Sequence, residues 1–523
     1  MLAAVVVWSV AVIGVLGTVA ASLGVQPGLR VAPSLDAWVA LVSEPGLGGA
    51  VLVTLVSAGV GLGLALAFAI AIAARFHAGG VQRAVLVALP LILAVPHGSI
   101  AVGLAQTLGP SGLIGRLGAQ LFGWAVPPDW PIPHDPWGLT LALALVMKET
   151  PFLVLAIIGA SAALPVEKLV STARTLGRSP TAAWMEGVLP AVWPQLRLPM
   201  LAAAGYALAP VDLASVLAPT APPPLALLAM QLFLDPDPTR AAVGSAAALA
   251  VAALALGLYG ALRLAGRVRV PAWVVARGAE GGLTLLALLT GLAITVLLLW
   301  SIAWSWRFPA LVPSAWGLSG WRQVGLDAPV LPTLLFGAIT ALLATVLAIH
   351  GLARGVWGVA IALPLLVPAI AMMPGLYFAL AVVRLDGTAI AVILLHLAFA
   401  LPYAWGALAG PWHALSHQPE RVAATLGAGP IRRLLTVRLP RLARPLAMAA
   451  AVAFAVSAGQ YLSTLVAGGG VWRTLATEAV ALSTSGDRPV IAATALAAAL
   501  LPVGVFSLAL WFTRPRRDRG RPA

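Results

Sequence analysis

Apolar residues in this chain show neither a helical stripe nor a strand-like alternation. They come in long runs, separated by short polar stretches. The runs cover 2–23, 49–74, 84–108, 137–160, 199–219 and 241–264, then 281–304, 329–353, 356–382, 387–410, 446–468 and 488–513. Each is near the length of about 20 residues that a bilayer asks of a helix. In hydrocarbon only helices and closed barrels satisfy the backbone, and a barrel strand is shorter and alternates. The pattern therefore predicts an all-α polytopic membrane protein of about twelve transmembrane helices in two six-helix repeats.

Composition agrees. The chain is 61% apolar and 9% charged, where a soluble domain has roughly 25% charged residues. It has no cysteine, which excludes disulfides, thiol catalysis and cysteine-ligated metals. No Lys or Arg precedes Trp8, so the first run lacks the basic n-region of a signal peptide and is expected to stay as a span. With the N-terminus placed in the cytoplasm, 22 of the 31 basic residues fall in cytoplasmic segments, eight fall outside, and Lys148 lies within a span. That bias follows the positive-inside rule and puts both termini in the cytoplasm. The net charge of +14 then reports orientation and contact with anionic lipid, not nucleic acid. The expected units are 1–266 and 281–513, joined by a cytoplasmic linker at 267–280 and followed by a basic tail at 514–523. An even number of spans per unit makes them parallel repeats. A long outer loop near 109–136, with Trp124, Trp130 and Trp137, is expected to lie flat on the outer surface.

One polar segment occurs twice, 250 residues apart, after the fourth and tenth runs. The first copy reads Ala173-Arg174-Thr175-Leu176-Gly177, then Pro180, then Leu189-Pro190. The second reads Ala423-Ala424-Thr425-Leu426-Gly427, then Pro430, then Leu439-Pro440. In each, a short helix from Glu167 or Glu420 should end at the glycine. A second helix should open at the proline and stop or kink at Leu-Pro. Such a hairpin carries apolar faces that lipid does not need and that suit a groove in a partner protein.

This pattern resembles the EAA loop of type I ABC-importer permeases, whose signature is E-A-A-x-x-x-G with a downstream I-x-L-P. Ser171-Thr172-Ala173 and Arg421-Val422-Ala423 stand in place of strict E-A-A, and Glu420 sits one place early; the glycine and Leu-Pro are intact in both copies. The resemblance spans essentially the whole chain. Two fused units, with Leu89-Pro90 and Pro96 in one third span and Leu363-Pro364 and Pro368 in the other, resemble the branch that includes iron(III) and thiamine permeases. It implies a bacterial inner-membrane protein whose two loops dock on two ATP-binding-cassette ATPase subunits, with a periplasmic or extracellular solute-binding protein as a further partner. The importing direction, too, is implied by the resemblance alone.

The energy source follows the same reading. The chain's lysines are Lys148 and Lys168, preceded by Met147 and Glu167, so neither sits in a Gly-Lys-Ser/Thr P-loop. ATP is then used by the partner subunit, and no cofactor is expected on this chain. Intramembrane polar groups are costly and commonly functional. Asp212 and Ser215 align with Gln460 and Ser463 on the fifth span of each unit, and either line the pathway or serve as interhelical hydrogen-bond glue. Lys148 and Glu149 have the same two readings. His97 and His396 read as packing donors. His413 and His417, at helical i, i+4 spacing, have no third metal ligand in view, and Met372-Met373-Pro374 reads as a packing kink. The pathway is expected to be neutral and apolar. No catalytic set is evident, which disfavours a membrane enzyme. An ion-gradient-driven secondary transporter with two parallel repeats is the alternative, but it has no need of the two loops.

Overall fold

The computed structural model describes residues 2–27, 32–79, 83–265, 272–356 and 358–513. Residues 267–271 of the expected linker and the tail at 514–523 lie outside them. The chain is an all-α polytopic membrane protein. The first half contains α1 (Leu2–Ser22), α2 (Leu47–His77), α3 (Arg83–Ala94), α4 (His97–Leu108), α5 (Leu113–Phe122), α6 (Leu139–Ser161), α7 (Val166–Thr175), α8 (Pro180–Gly187), α9 (Arg197–Leu208), α10 (Val211–Leu217), α11 (Leu225–Phe233) and α12 (Pro238–Ala265). The second contains α13 (Ala272–Ser301), α14 (Leu331–Ala353), α15 (Gly358–Leu366), α16 (Met373–Val382), α17 (Ala389–Ala414), α18 (Gln418–Thr425), α19 (Pro430–Arg433), α20 (Ala443–Ala458), α21 (Leu462–Gly468), α22 (Leu475–Ala481) and α23 (Arg488–Phe512). Helix α13 starts at Ala272, so the second half of the expected linker is a helical extension of the seventh span.

Nine helices among the described residues are long and apolar enough to cross a membrane, or up to 11 when each of two bent pairs counts as one span. The ninth expected run, 356–382, is split into α15, a 3-10 turn at Ala369–Ala371 and α16, pieces too short to count singly. The expected continuous helices are thus interrupted in the third and fifth runs of each half. Proline explains three of the four breaks, at Val95-Pro96, Val367-Pro368 and Ala209-Pro210, because it cannot donate the bond that would continue the helix. The fourth, between α20 and α21, falls at Gly459-Gln460. The first break turns the chain by 92°.

The halves interlock through their first spans. Helix α1 packs against α16 of the other half so closely that a Cβ built on Gly17 would sit 2.7 Å from the Cα of Gly375. The amide of Gly375 donates to Thr18 Oγ1 at 3.0 Å. Reciprocally, α13 packs on α4, where a Cβ on Gly103 would meet the Cβ of Ala293 at 2.9 Å. Small residues that let backbones approach are the usual basis of helix association in lipid, where the hydrophobic effect is lost. Gly375→Leu should therefore prevent the halves from closing. The expected result is loss of the monodisperse full-length peak in mild detergent, whereas Gly257→Leu, at a glycine with nothing within 4 Å, should leave that peak intact.

The same side-chain device holds each half. Thr54 Oγ1 accepts from the Leu225 amide at 2.7 Å and caps α11. Thr333 Oγ1 accepts from the Leu475 amide at 2.8 Å and caps α22. Leu225 and Leu475 are 250 residues apart, the offset of the two polar loops.

The segment 109–136 does more than lie flat. It forms α5, and Arg116, 1% exposed, reaches from it into the other half. Its guanidinium donates to the carbonyls of Trp306 (3.0 Å), Arg307 (2.9 Å) and Ala310 (2.6 Å) and lies 4.6 Å from the Trp306 ring centroid. The receiving turn includes a two-strand ribbon, Ala303–Ser305 with Ala315–Trp316, which the hydropathy pattern did not predict.

Candidate docking loops and polar pathway

Both polar loops fold as helix-turn-helix units. In the first, α7 ends at Thr175, Gly177 takes φ +78°, and Pro180 opens α8 with Ser179 Oγ accepting from the Ala182 amide at 3.3 Å. In the second, α18 ends at Thr425, Gly427 takes φ +81°, and Pro430 opens α19. A positive φ is the left-handed region that glycine enters without a Cβ penalty. The exposure pattern is shared too. Ala173 and Ala423 are partly covered, while Thr175, Leu176, Gly177, Thr425, Leu426 and Gly427 are exposed. Leu176 is 78% and Leu426 81% exposed, although each is a large apolar side chain at the tip of its turn.

The loops are anchored differently. Trp184 of α8 is fully buried and stacks on His77 at the end of α2, with ring centroids 5.9 Å apart. Leu189 is partly buried and Pro190 exposed, and they open a further short helix, Leu189–Val192. The second loop has no buried residue from Gln418 to Arg441, a stretch that includes Leu439 and Pro440. It is braced by charge instead. Glu420 pairs with Arg438 at 3.3 Å, and Arg438 lies 3.9 Å over the Trp412 ring. Glu420 is thus spent within its own loop.

The polar residues of the spans gather at the helix breaks. Lys148 of α6 donates to the carbonyls of Ile92 (3.2 Å), Leu93 (3.1 Å) and Val95 (2.7 Å), which are left open where α3 stops at Pro96. Asp212 opens α10 just past the break at Pro210. It accepts from the Tyr206 hydroxyl at 3.1 Å and from the Leu213 amide at 3.0 Å, and its carboxylate lies 3.8 Å from His97 Nδ1. The His97 ring in turn lies 4.5 Å from that of Tyr206. Glu149 is buried beside Lys148 in the same helix. From the other half, Tyr461 stands beside Asp212 and within hydrogen-bonding reach of Ser215. Where the spans were expected to be neutral and apolar, these breaks gather Asp212, Lys148, His97 and Tyr206.

Of the expected pathway residues, Asp212 and Ser215 belong to this cluster. Gln460 flanks Tyr461, and its side-chain oxygen accepts from Ser463 Oγ at 2.8 Å. Ser463 itself is 1% exposed and braces Gln460. His97, expected as a packing donor, joins the cluster. His396 does serve packing, held by Ser457 Oγ at 2.8 Å and Thr464 Oγ1 at 2.9 Å across the break between α20 and α21. Met372 and Met373 are fully buried, with Met372 against α1 at Gly14, and His413 and His417 are exposed. Sequence reasoning missed the tyrosines. The chain has five in 523 residues, and Tyr206 binds Asp212 and packs on His97; that scarcity was the available signal.

No protein-family profile matches the chain. Over 495 residues, 91% of this chain and 90% of the relative, it is 30% identical to the inner membrane ABC transporter permease protein YnjC of Escherichia coli (strain K12). Identity at that level along nearly the full length of both proteins goes with the membrane-spanning architecture and the paired exposed hairpins: the chain belongs to the ABC transporter permeases.

Proposed function

We propose that this chain is the pore-forming subunit of an ABC importer in a bacterial inner membrane, built from two permease units at 1–266 and 281–513 fused in one polypeptide. Its termini face the cytoplasm. Each polar loop docks one ATP-binding-cassette ATPase subunit, and a solute-binding protein delivers the solute at the opposite face. ATP is bound and hydrolysed by the partners. Closure of the two ATPases then swings the halves as rigid bodies, and the breaks in the spans let the pathway open at one face at a time. The solute is small, with thiamine or iron(III) favoured by the branch resemblance.

The observation that carries this reading is the matched exposure of Leu176 and Leu426 at the tips of two conformationally equivalent turns. A large apolar side chain left in water at a structured turn, twice, fits a hydrophobic groove on a partner. The test is affinity purification of the tagged chain from its native membrane. A P-loop ATPase should come with it, one subunit per loop, and should be lost when Leu176→Glu and Leu426→Glu are combined. A chain that purifies reproducibly alone, or an ATPase that remains bound to the double variant, overturns the docking assignment.

A further inference from the structure

Helix α5 is inside out for a helix at an aqueous surface. Its polar residues turn toward the protein. Arg116 is buried with Gly115 and Ala119, and its guanidinium bonds carbonyls of the second half. Gln120 Nε2 donates to the Pro309 carbonyl at 3.1 Å. The residues turned outward are Ile114, Leu117, Leu121 and Phe122, at 39, 44, 78 and 70% exposure. Their i, i+3, i+7, i+8 spacing makes one stripe along the helix. A helix bathed in water carries its charged residues on the outer side, yet from Gly112 to Val126 the one charged residue is the buried Arg116. An apolar face of this length fits an apolar surrounding better than water.

The position of α5 says what that surrounding is. Helix α4, which completes the third span, ends at Leu108, and α5 starts at Leu113. The residues between them, 109–112, reach at most about 14 Å when extended, and the Gly112 amide bonds the Gly109 carbonyl at 2.8 Å, which folds them shorter. The carbonyls that hold Arg116 and Gln120 lie at 306–310, just past the end of the spanning helix α13. Around that end Trp304 is 65% and Trp316 56% exposed, and Trp137, where α6 begins, is 54% exposed. Tryptophan gathers at the boundary between membrane and water, so α5 lies where the hydrocarbon ends. Helix α6 crosses the membrane from this end to the first polar loop, so the boundary is that of the leaflet opposite the loops.

We propose that α5 is an interfacial membrane helix, with Ile114, Leu117, Leu121 and Phe122 seated among the phospholipid chains of that leaflet. A helix of this kind lies in the membrane plane with its apolar face about 5–10 Å into the boundary. Arg116 ties the seat to the second half, so both halves share one lipid anchor at this end. The anchor belongs to the first half alone: in the second, the turn between the third and fourth spans is 383–388 and holds no helix. The proposal rests on the membrane-spanning architecture and not on what the polar loops hold.

The chain has no cysteine, so a single one can be introduced and spin-labelled. Leu117→Cys and Leu121→Cys are compared in the full-length chain, in nanodiscs of phosphatidylethanolamine and phosphatidylglycerol, with no other protein present. Power saturation reads the access of oxygen, which concentrates in hydrocarbon, against that of a water-soluble nickel chelate. The lipid reference is Leu500→Cys, at a residue of α23 that is 53% exposed within an apolar span. The water reference is Thr172→Cys, on the exposed part of α7. The oxygen-to-nickel ratio at both α5 positions should exceed that of Thr172→Cys at least ~5-fold and approach that of Leu500→Cys, because a polar collider enters hydrocarbon at high cost. A ratio equal to that of Thr172→Cys at either position overturns the proposal, since the face would then stand open to water as a docking surface for a solute-binding protein does. Low access of both probes at either position overturns it equally, since protein would then cover the face.

Discussion

Replacing Gly177 and Gly427 together by valine should abolish ATP-coupled transport while the chain remains inserted and monodisperse. Both glycines sit at left-handed φ, +78° and +81°, where an L-residue costs roughly 1–2 kcal/mol and a β-branched one more. A Cβ built at either position meets nothing within 4 Å, so the substitution adds no collision. Its whole effect is to re-aim α7 against α8 and α18 against α19. Two such penalties, together about 2–4 kcal/mol, lower the population of the paired docking conformation by roughly 30–1000-fold. In reconstituted vesicles containing the ATPase, coupled ATP hydrolysis should fall to near the level of the ATPase alone. Asparagine tolerates the left-handed region better than other side chains, so Gly177→Asn with Gly427→Asn should retain a substantial part of that activity. Equal loss in the asparagine and valine pairs, or none in either, would separate the loops' function from their turn conformation.

How much of this was legible in the sequence depends on the kind of partner a residue has. The loops were legible because their punctuation is local: a glycine, then a proline at a fixed offset, sets the turn whatever lies around it. The spans were legible because hydrocarbon imposes a length and an apolar composition on each. The interruptions were not, since Val95-Pro96 and Gly459-Gln460 lie inside runs that hydropathy reads as continuous. Nor were the partners of the buried cations. Lys148 and Arg116 both bond to carbonyls, and a carbonyl leaves no residue-type signal for pairing by charge. Sequence counting placed Arg116 among the eight basic residues of the outer segments, and the structure closes the two halves around it. The tyrosines failed for a related reason: each is isolated in an apolar run, and only the reciprocal packing of the halves brings Tyr206 and Tyr461 to the same carboxylate.

That packing gives Lys148 its importance and leads to the second large effect. Helix α3 stops before Pro96, and its last carbonyls have no amide to accept from; inside a membrane water does not replace the missing donors. The Lys148 ammonium meets three of these carbonyls at 2.7 to 3.2 Å. Lys148→Met keeps the length and flexibility of the side chain and removes only the donors and the charge. Each carbonyl left bare costs about 1–3 kcal/mol, so the three together cost on the order of 5 kcal/mol. At about 1 °C per kcal/mol for a chain of 523 residues, the melting temperature in detergent should drop by on the order of 5 °C. The loss should exceed that of Ser215→Ala, whose hydroxyl donates to the Val211 carbonyl of its own helix at 2.7 Å. Lys148→Arg retains the charge but spreads it over a planar fork that does not converge on one point, so it should recover part of the loss. A methionine variant melting within about 1 °C of the parent, about 1 kcal/mol on the same scale, would mean that the break in the third span is held by packing alone. The ammonium would then be free to serve the buried Glu149 beside it in the same helix.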